Sequence, residues 1–230
     1  MDNERKINLI ALGDNFVGKT SIINRIKYGT FQETHPTIST DFYFTKKKHE
    51  KKNIMINLAF CDTPGQEGFE MITSKEYFNN SHIVLLVFCD IETLNTLKYR
   101  WLNYYKEYVN IENSSFILIG NKSDIFGDNR DEILKQGEKF SEEIDAIFIT
   151  CSAKSEDNMD NLERFVVEEA KRFIVEEERK KEYYFFNKEK KDKKESLKND
   201  NYEHKKIVNY DDENKVSIWQ NSKLNKYISF

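Results

Sequence analysis

Cysteine is scarce in this chain. Its 230 residues include three, Cys61, Cys89 and Cys151, each at the end of an apolar run. No pairing framework and no metal-ligand spacing can be drawn through them. They read as reduced, half-buried core residues and imply a reducing cytosol. Long hydrophobic segments are missing as well: the longest apolar run, residues 83–89, is far too short to cross a bilayer. The opening residues, Met1-Asp2-Asn3-Glu4-Arg5-Lys6, are polar and hold no apolar core of a secretory leader. Neither sign of charge dominates, since 36 Lys and Arg stand against 40 Asp and Glu, a net charge of −4. That balance suits a soluble protein and argues against a dedicated nucleic-acid binder. Internal repeats are absent. The length allows one full domain with an extension.

What the chain does have is a phosphate-holding pattern near its start. Residues 7–12 form a nearly continuous apolar run suited to a buried parallel strand. Gly13 interrupts it, and from Thr20 the spacing turns helical, with Ile22, Ile23 and Ile26 on one side. Between lie Gly13, Asp14, Asn15, Phe16, Val17, Gly18, Lys19 and Thr20, followed by Ser21, in the spacing G-x-x-x-x-G-K-T. Backbone N–H groups of such a loop converge on an anion, and the following helix aims its positive dipole end at the same point. In this pattern Lys19 reaches the β- and γ-phosphates, and the Thr20 hydroxyl ligates Mg²⁺.

Further apolar runs at 54–60, 83–88, 116–119 and 146–149 predict strands. Helical spacing separates most of them. Leu94, Leu97, Trp101, Leu102, Tyr105 and Val109 share one face. Ile133, Leu134, Gly137 and Phe140 share a second, and Met159, Leu162, Phe165, Val166, Ala170 and Phe173 a third. Only residues 42–48 and 54–60 read as a hairpin. The alternation predicts an α/β fold, a mostly parallel sheet covered on both faces with one antiparallel edge strand. Ligands of such sheets lie beyond the carboxyl ends of the strands, and every motif falls at such an end. Near Glu176 the composition changes to Lys and Glu runs with scattered aromatics, Tyr183-Tyr184-Phe185-Phe186 among them. Residues 1–175 are expected to form one domain. Residues 176–230 are expected to continue as helix for a few turns and then lose order.

Asp62 ends the run at 54–60, followed by Thr63-Pro64-Gly65-Gln66. Asp62 stands where a carboxylate holds Mg²⁺ through water. Gly65 permits an N–H to approach the γ-phosphate, and Gln66 is placed to orient an attacking water. By itself Asp-Thr-Pro-Gly is also a good turn. Thr37, in a polar loop ahead of the hairpin, is placed to close over the same cation. After the run at 116–119 come Asn121, Lys122, Ser123 and Asp124. The Asp124 carboxylate suits the paired donors of a guanine edge, which adenine lacks. The Lys122 stem suits one face of the ring and Phe31 the other side, while Asn121 braces the loop. Ser152, Ala153 and Lys154 follow the last strand, with N–H groups available to the guanine oxygen.

Taken together, Gly13–Thr20, Asp62–Gln66, Asn121–Asp124 and Ser152–Lys154 resemble the Ras superfamily of small GTPases over residues 1–175. Asp14 in the phosphate loop, Thr37-Ile38 with Asp41-Phe42, and Trp101-Leu102 resemble the Rab proteins. The resemblance implies a P-loop G domain of six strands flanked by about five helices, binding GTP or GDP with Mg²⁺. It implies Lys19, Thr37 and Gln66 as catalytic groups, and Thr20, Thr37 and Asp62 around the metal. The loops at Thr37 and Gln66 become switches read by effectors, an exchange factor and a GTPase-activating protein. A monomer is implied, with slow turnover on the order of 10⁻⁴ s⁻¹, raised roughly 10³–10⁵-fold by an arginine supplied in trans. The likeness to Rab proteins implies vesicle traffic, in the cytoplasm and peripherally on endomembranes through a partner.

Departures accompany the likeness. Phe16 stands where relatives carry a small residue, Pro64 where they carry Ala, and Gly68 where they carry Arg. The loop at 31–37 is one residue short, with His35 near the usual tyrosine. A scaffold that holds nucleotide with little hydrolysis is the alternative these changes suggest, and an ATP-dependent kinase or ATPase is disfavoured by Asn121 and Asp124. No cysteine follows Cys151, and residue 2 is Asp, so neither prenylation nor myristoylation is expected. Membrane contact is therefore left to the Lys-rich tail, whose acidic residues weaken it.

Overall fold

A computed structural model describes residues 4–37, 39–49, 53–65, 78–109 and 114–205, with side chains as far as Lys190 except at position 189. Six strands form one sheet: β1 (Glu4–Leu12), β2 (Asp41–His49), β3 (Ile54–Asp62), β4 (Ile83–Phe88), β5 (Ser115–Gly120) and β6 (Ala146–Thr150). Their order is β2-β3-β1-β4-β5-β6. All neighbours run parallel except β2, which pairs antiparallel with β3 from Asp41↔Asp62 to His49↔Ile54. The edge strand β2 alternates exposed and half-buried residues, whereas β4 and β5 are buried throughout. This contrast follows from their cover, since a central parallel strand has helices on both faces.

The helices are α1 (Lys19–Tyr28), α2 (Ile91–Thr96), α3 (Leu102–Tyr108), α4 (Arg130–Glu143) and α5 (Met159–Lys205). Asp90 opens α2 with a capping box: its carboxylate accepts from Thr93 N at 2.8 Å, and the Thr93 hydroxyl accepts from Asp90 N at 3.1 Å. A π turn, Leu97–Trp101, joins α2 to α3 without a break. The described residues thus hold four or five helices, according to whether α2 and α3 are counted as one.

Strand alternation splits the core between the two faces. Leu9, Ala11, Leu85 and Val87 pack with Ile22, Ile23, Leu162 and Val166 under α1 and α5. Ile10, Leu12, Val84 and Leu86 pack with Leu94, Trp101, Ile133 and Phe140 under α2, α3 and α4. Each fully buried aliphatic side chain stabilises the fold by about 1.5–3 kcal/mol. The thiols of Cys61 and Cys151 are free and buried outright, and only Cys89 is half-buried. Burial pushes the first two up to about 12, so they stay protonated. Met1–Arg179 forms one compact unit and Lys180–Phe230 a second. Within the second, helix runs on to Lys205.

Candidate functional site

Strand order reverses at β1: β3 and β4, consecutive in the chain, lie on opposite sides of it, so the loop leaving its carboxyl end opens onto a crevice. Gly13 starts that loop at φ +144°, and a Cβ there would sit 2.2 Å from the carbonyl oxygen of Val87. Only glycine passes under β4 at this point. Lys19, at 6% exposure, donates to the carbonyls of Gly13 (2.9 Å) and Asp14 (3.0 Å). Burial pulls its amine down from 10.5 to about 8, against the attraction of Asp62 and Asp14.

Asp62 is fully buried at the end of β3. Its Oδ2 accepts from Thr20 Oγ1 at 2.6 Å, and Thr20 Oγ1 lies 2.9 Å from Thr37 Oγ1. Its Oδ1 has no hydrogen-bond partner among the described residues. Burial raises the carboxyl's pKa, opposed by the Thr20 hydrogen bond and the charge of Lys19. A buried carboxylate oxygen without a donor, clustered with two hydroxyls, is an all-oxygen set that suits a hard cation such as Mg²⁺. No group of three His, Cys, Asp or Glu side chains is gathered among the described residues. The set therefore fits a cation that takes few protein ligands and relies on phosphate oxygens.

The turn after β3 lies directly on the phosphate loop. A Cβ at Gly65 would fall 2.3 Å from Asn15 N and 2.6 Å from Asp14 O. Thr63 donates to Ala11 O at 2.6 Å and ties this turn to β1. Gln66 and Gly68, and Ile38 in the loop of Thr37, lie outside the described residues.

The other half of the rim is built from β5 and β6. Asn121, buried, donates from Nδ2 to Val17 O at 2.8 Å and accepts at Oδ1 from Ala153 N at 3.2 Å. One side chain thus fastens the phosphate loop to the loop after β6. Gly18 abuts its amide. Ser123 N donates to Cys151 O (3.0 Å) and Ser123 Oγ to Asp157 Oδ2 (2.8 Å), which fixes the short turn carrying Asp124. Ser152 is fully buried, and Asp124 and Lys154 are exposed. A cleft of about 430 Å³ is bounded by Phe16, Phe31, Lys122, Asp124, Ala153 and Lys154. A small recess of about 50 Å³ adjoins Asn15, Lys19, Thr20, Thr37 and Gly65. Phe16 and Gly18 line both, and Ser21 lines the larger. A larger cleft, about 550 Å³ beside Ser115, Asp145 and Arg172, lies at the opposite end of β5 and β6 and touches none of these motifs.

Three features are absent from the sequence reading. Trp101 Nε1 donates to Asp14 Oδ1 at 2.7 Å, so the indole on the π turn holds the phosphate loop from outside. Arg25, on α1, donates to Ala153 O (3.1 Å) and Lys154 O (3.3 Å), securing the base-side loop. Phe16 has φ +62° and is 73% exposed, a left-handed conformation uncommon for a bulky residue. A tryptophan and an arginine at helical spacing are no local signal of such distant partners, and backbone handedness leaves no mark in composition.

A doubly wound sheet whose strand ends gather a G-x-x-x-x-G-K-T loop, a buried Asp and an Asn-Lys-Ser-Asp turn defines a P-loop protein of the G-domain type. Residues 8–172 match the Ras family. The Ras-related protein RIC1 of Oryza sativa subsp. japonica is 32% identical over 166 residues, covering 71% of this chain and 79% of that protein. The Ras-related protein Rab-12 of Homo sapiens is 35% identical over 169 residues, covering 71% of this chain and 66% of its own length. The chain belongs to the Ras family and is a small GTPase resembling the Rab proteins.

Proposed function

We propose that this protein is a Rab-like switch that binds GTP and GDP, hydrolyses GTP to GDP and phosphate, and works in vesicle traffic. The observation that carries the reading is the Asn121 bridge, which unites the phosphate loop and the Ala153 loop in one frame. On this reading Lys19 and the N–H groups of the phosphate loop bind the β- and γ-phosphates. Thr20 and Thr37 would hold Mg²⁺, with Asp62 beside them as an acceptor. When bound, that cation neutralises charge gathering between the β- and γ-phosphates. The Gly65 N–H holds the γ-phosphate, and Gln66 orients the attacking water. Asp124 accepts from the ring N–H and amino group of guanine, and the Lys122 stem and Phe31 flank the base, while Ala153 N–H is held by Asn121 and fixes the loop behind it.

The loops of Thr37 and Gln66 then order with GTP and relax after hydrolysis. An exchange factor, a GTPase-activating protein and effectors read that difference. The proposed setting is the cytoplasm and the cytoplasmic face of endomembranes, as a monomer with one C-terminal extension. The test is displacement of a fluorescent guanine nucleotide from the full chain by GTP and by ATP, followed by single-turnover hydrolysis. GTP is expected to displace the probe and ATP to fail, and Gln66→Leu to slow hydrolysis by about 10²-fold, the scale of a misplaced reactant. Equal displacement by both nucleotides refutes guanine recognition. An unchanged rate in Gln66→Leu removes Gln66 from the chemistry.

A further inference from the structure

The second unit begins with a helical segment of unusual make-up. Between Lys180 and Lys194 stand seven lysines against three acidic residues, in a chain whose net charge is −4. In their midst are four consecutive aromatics, Tyr183, Tyr184, Phe185 and Phe186, exposed to 71%, 65%, 63% and 55%. An apolar group of this size left in water on a surface marks a binding site.

The helix sorts the acidic residues of this stretch from its lysines and aromatics. At about 100° per residue, Lys180, Tyr183, Asn187 and Lys190 fall on one stripe. Tyr184 and Phe186 lie on its two flanks, with Lys181 and Lys188 beside Tyr184. Glu182 and position 189 are one heptad apart, and so share a line on the other side, next to Phe185. Lys190 Nζ sits 4.2 Å from the Phe186 ring centroid, so cation and aromatic already share a surface.

We infer that this helix lies flat on an anionic lipid surface, lysines toward the headgroups and Tyr183, Tyr184 and Phe186 at the acyl boundary. Tyrosine and lysine both carry an apolar body with a polar tip, which suits the headgroup level. A segment of this kind adsorbs by apolar burial together with attraction to acidic lipids. A protein groove fits less well, because groove-bound helices present apolar anchors at i, i+3, i+4 and i+7 over two turns. Here all four aromatics fall within little more than one turn. No helix among the described residues is long and apolar enough to cross a membrane, so the contact is interfacial.

This inference stands apart from the nucleotide reading and is tested on the full chain by co-sedimentation. The probes are vesicles of phosphatidylcholine alone and of phosphatidylcholine with phosphatidylserine. The protein is expected to sediment with the second and not the first, and to be released by high salt. Replacing Lys180, Lys188 and Lys190 together by Gln is expected to weaken binding by about 100-fold, at about five-fold per lysine. Replacing Tyr183, Tyr184 and Phe186 together by Ser is expected to weaken it at least ten-fold. Circular dichroism and guanine-nucleotide affinity of the same samples are expected to stay unchanged. Vesicle binding that neither variant alters overturns the inference. So does indifference to phosphatidylserine, or capture of an acidic protein with no vesicle binding.

Discussion

The two halves of the rim are held in different ways. In the phosphate half Lys19 and Asp62 are buried, Thr20 is half-buried, and they are bonded within the half: Lys19 to the carbonyls of Gly13 and Asp14, Thr20 to Asp62. In the base half Asp124 and Lys154 are exposed and Lys122 and Phe31 half-buried, and the rigidity comes from groups behind them, Asn121, Ser123 and Arg25. The phosphate half therefore carries an electrostatic cost in the protein alone, seen in the lowered amine of Lys19 and the raised carboxyl of Asp62. The base half is set by its scaffold of hydrogen bonds. On the proposed reading, one half is completed by what it binds, and the other is held by the protein's own bonds.

Substitutions sharpen that contrast. The largest effect is expected from Gly13→Ala, whose methyl would enter the Val87 carbonyl on a backbone only glycine adopts with ease. A loss of about 4 kcal/mol or more in urea unfolding is expected, with the whole first unit affected. Next comes Asn121→Ala, which strands Val17 O and Ala153 N in the interior and should cost about 2–4 kcal/mol. If the halves are independent, nucleotide affinity will fall no further than this loss of stability explains. A larger fall shows that Asn121 couples them.

Lys19→Met tests the cost assigned to the phosphate half. The folded amine titrates near 8 and the unfolded one at 10.5, so the unfolded chain binds the extra proton between those values. From this group alone, stability rises as pH climbs from about 8 towards 10.5. Asp62 acts in the other direction at acid pH: its raised carboxyl means stability is lost as pH rises through the folded value. Thermal unfolding of the nucleotide-free chain across the alkaline range is expected to lose the Lys19 contribution in Lys19→Met. Identical slopes for both proteins would show that the amine is not desolvated. The smallest effect is expected from Phe16→Gly, which relieves left-handed strain and should add about 1 kcal/mol to stability by denaturant midpoint.

Much of this architecture was legible beforehand. Every predicted strand appears within a few residues, because a buried parallel strand flanked by polar turns leaves an unmistakable apolar run. Asp62 ends β3 and Asn121 directly follows β5, so each stands where an apolar run stops. The Trp101–Asp14 bond joins residues 87 apart, and nothing in local composition announces so distant a pairing. Arg25 was unreadable for the same reason, its partners lying past β6. The π turn was invisible because an α-helical register already places Leu97, Trp101 and Leu102 on the buried face. The sorting of lysines from acids after Lys180 needs helix as a given, since along the sequence the two signs are interspersed.

An indole whose N–H is gripped by a carboxylate emits light at a wavelength that depends on that grip. Trp101 is so held by Asp14, and the second tryptophan of the chain, Trp219, lies outside the described residues. With Trp219 changed to phenylalanine, the fluorescence of Trp101 becomes a built-in optical gauge of the phosphate loop, readable in real time without a dye.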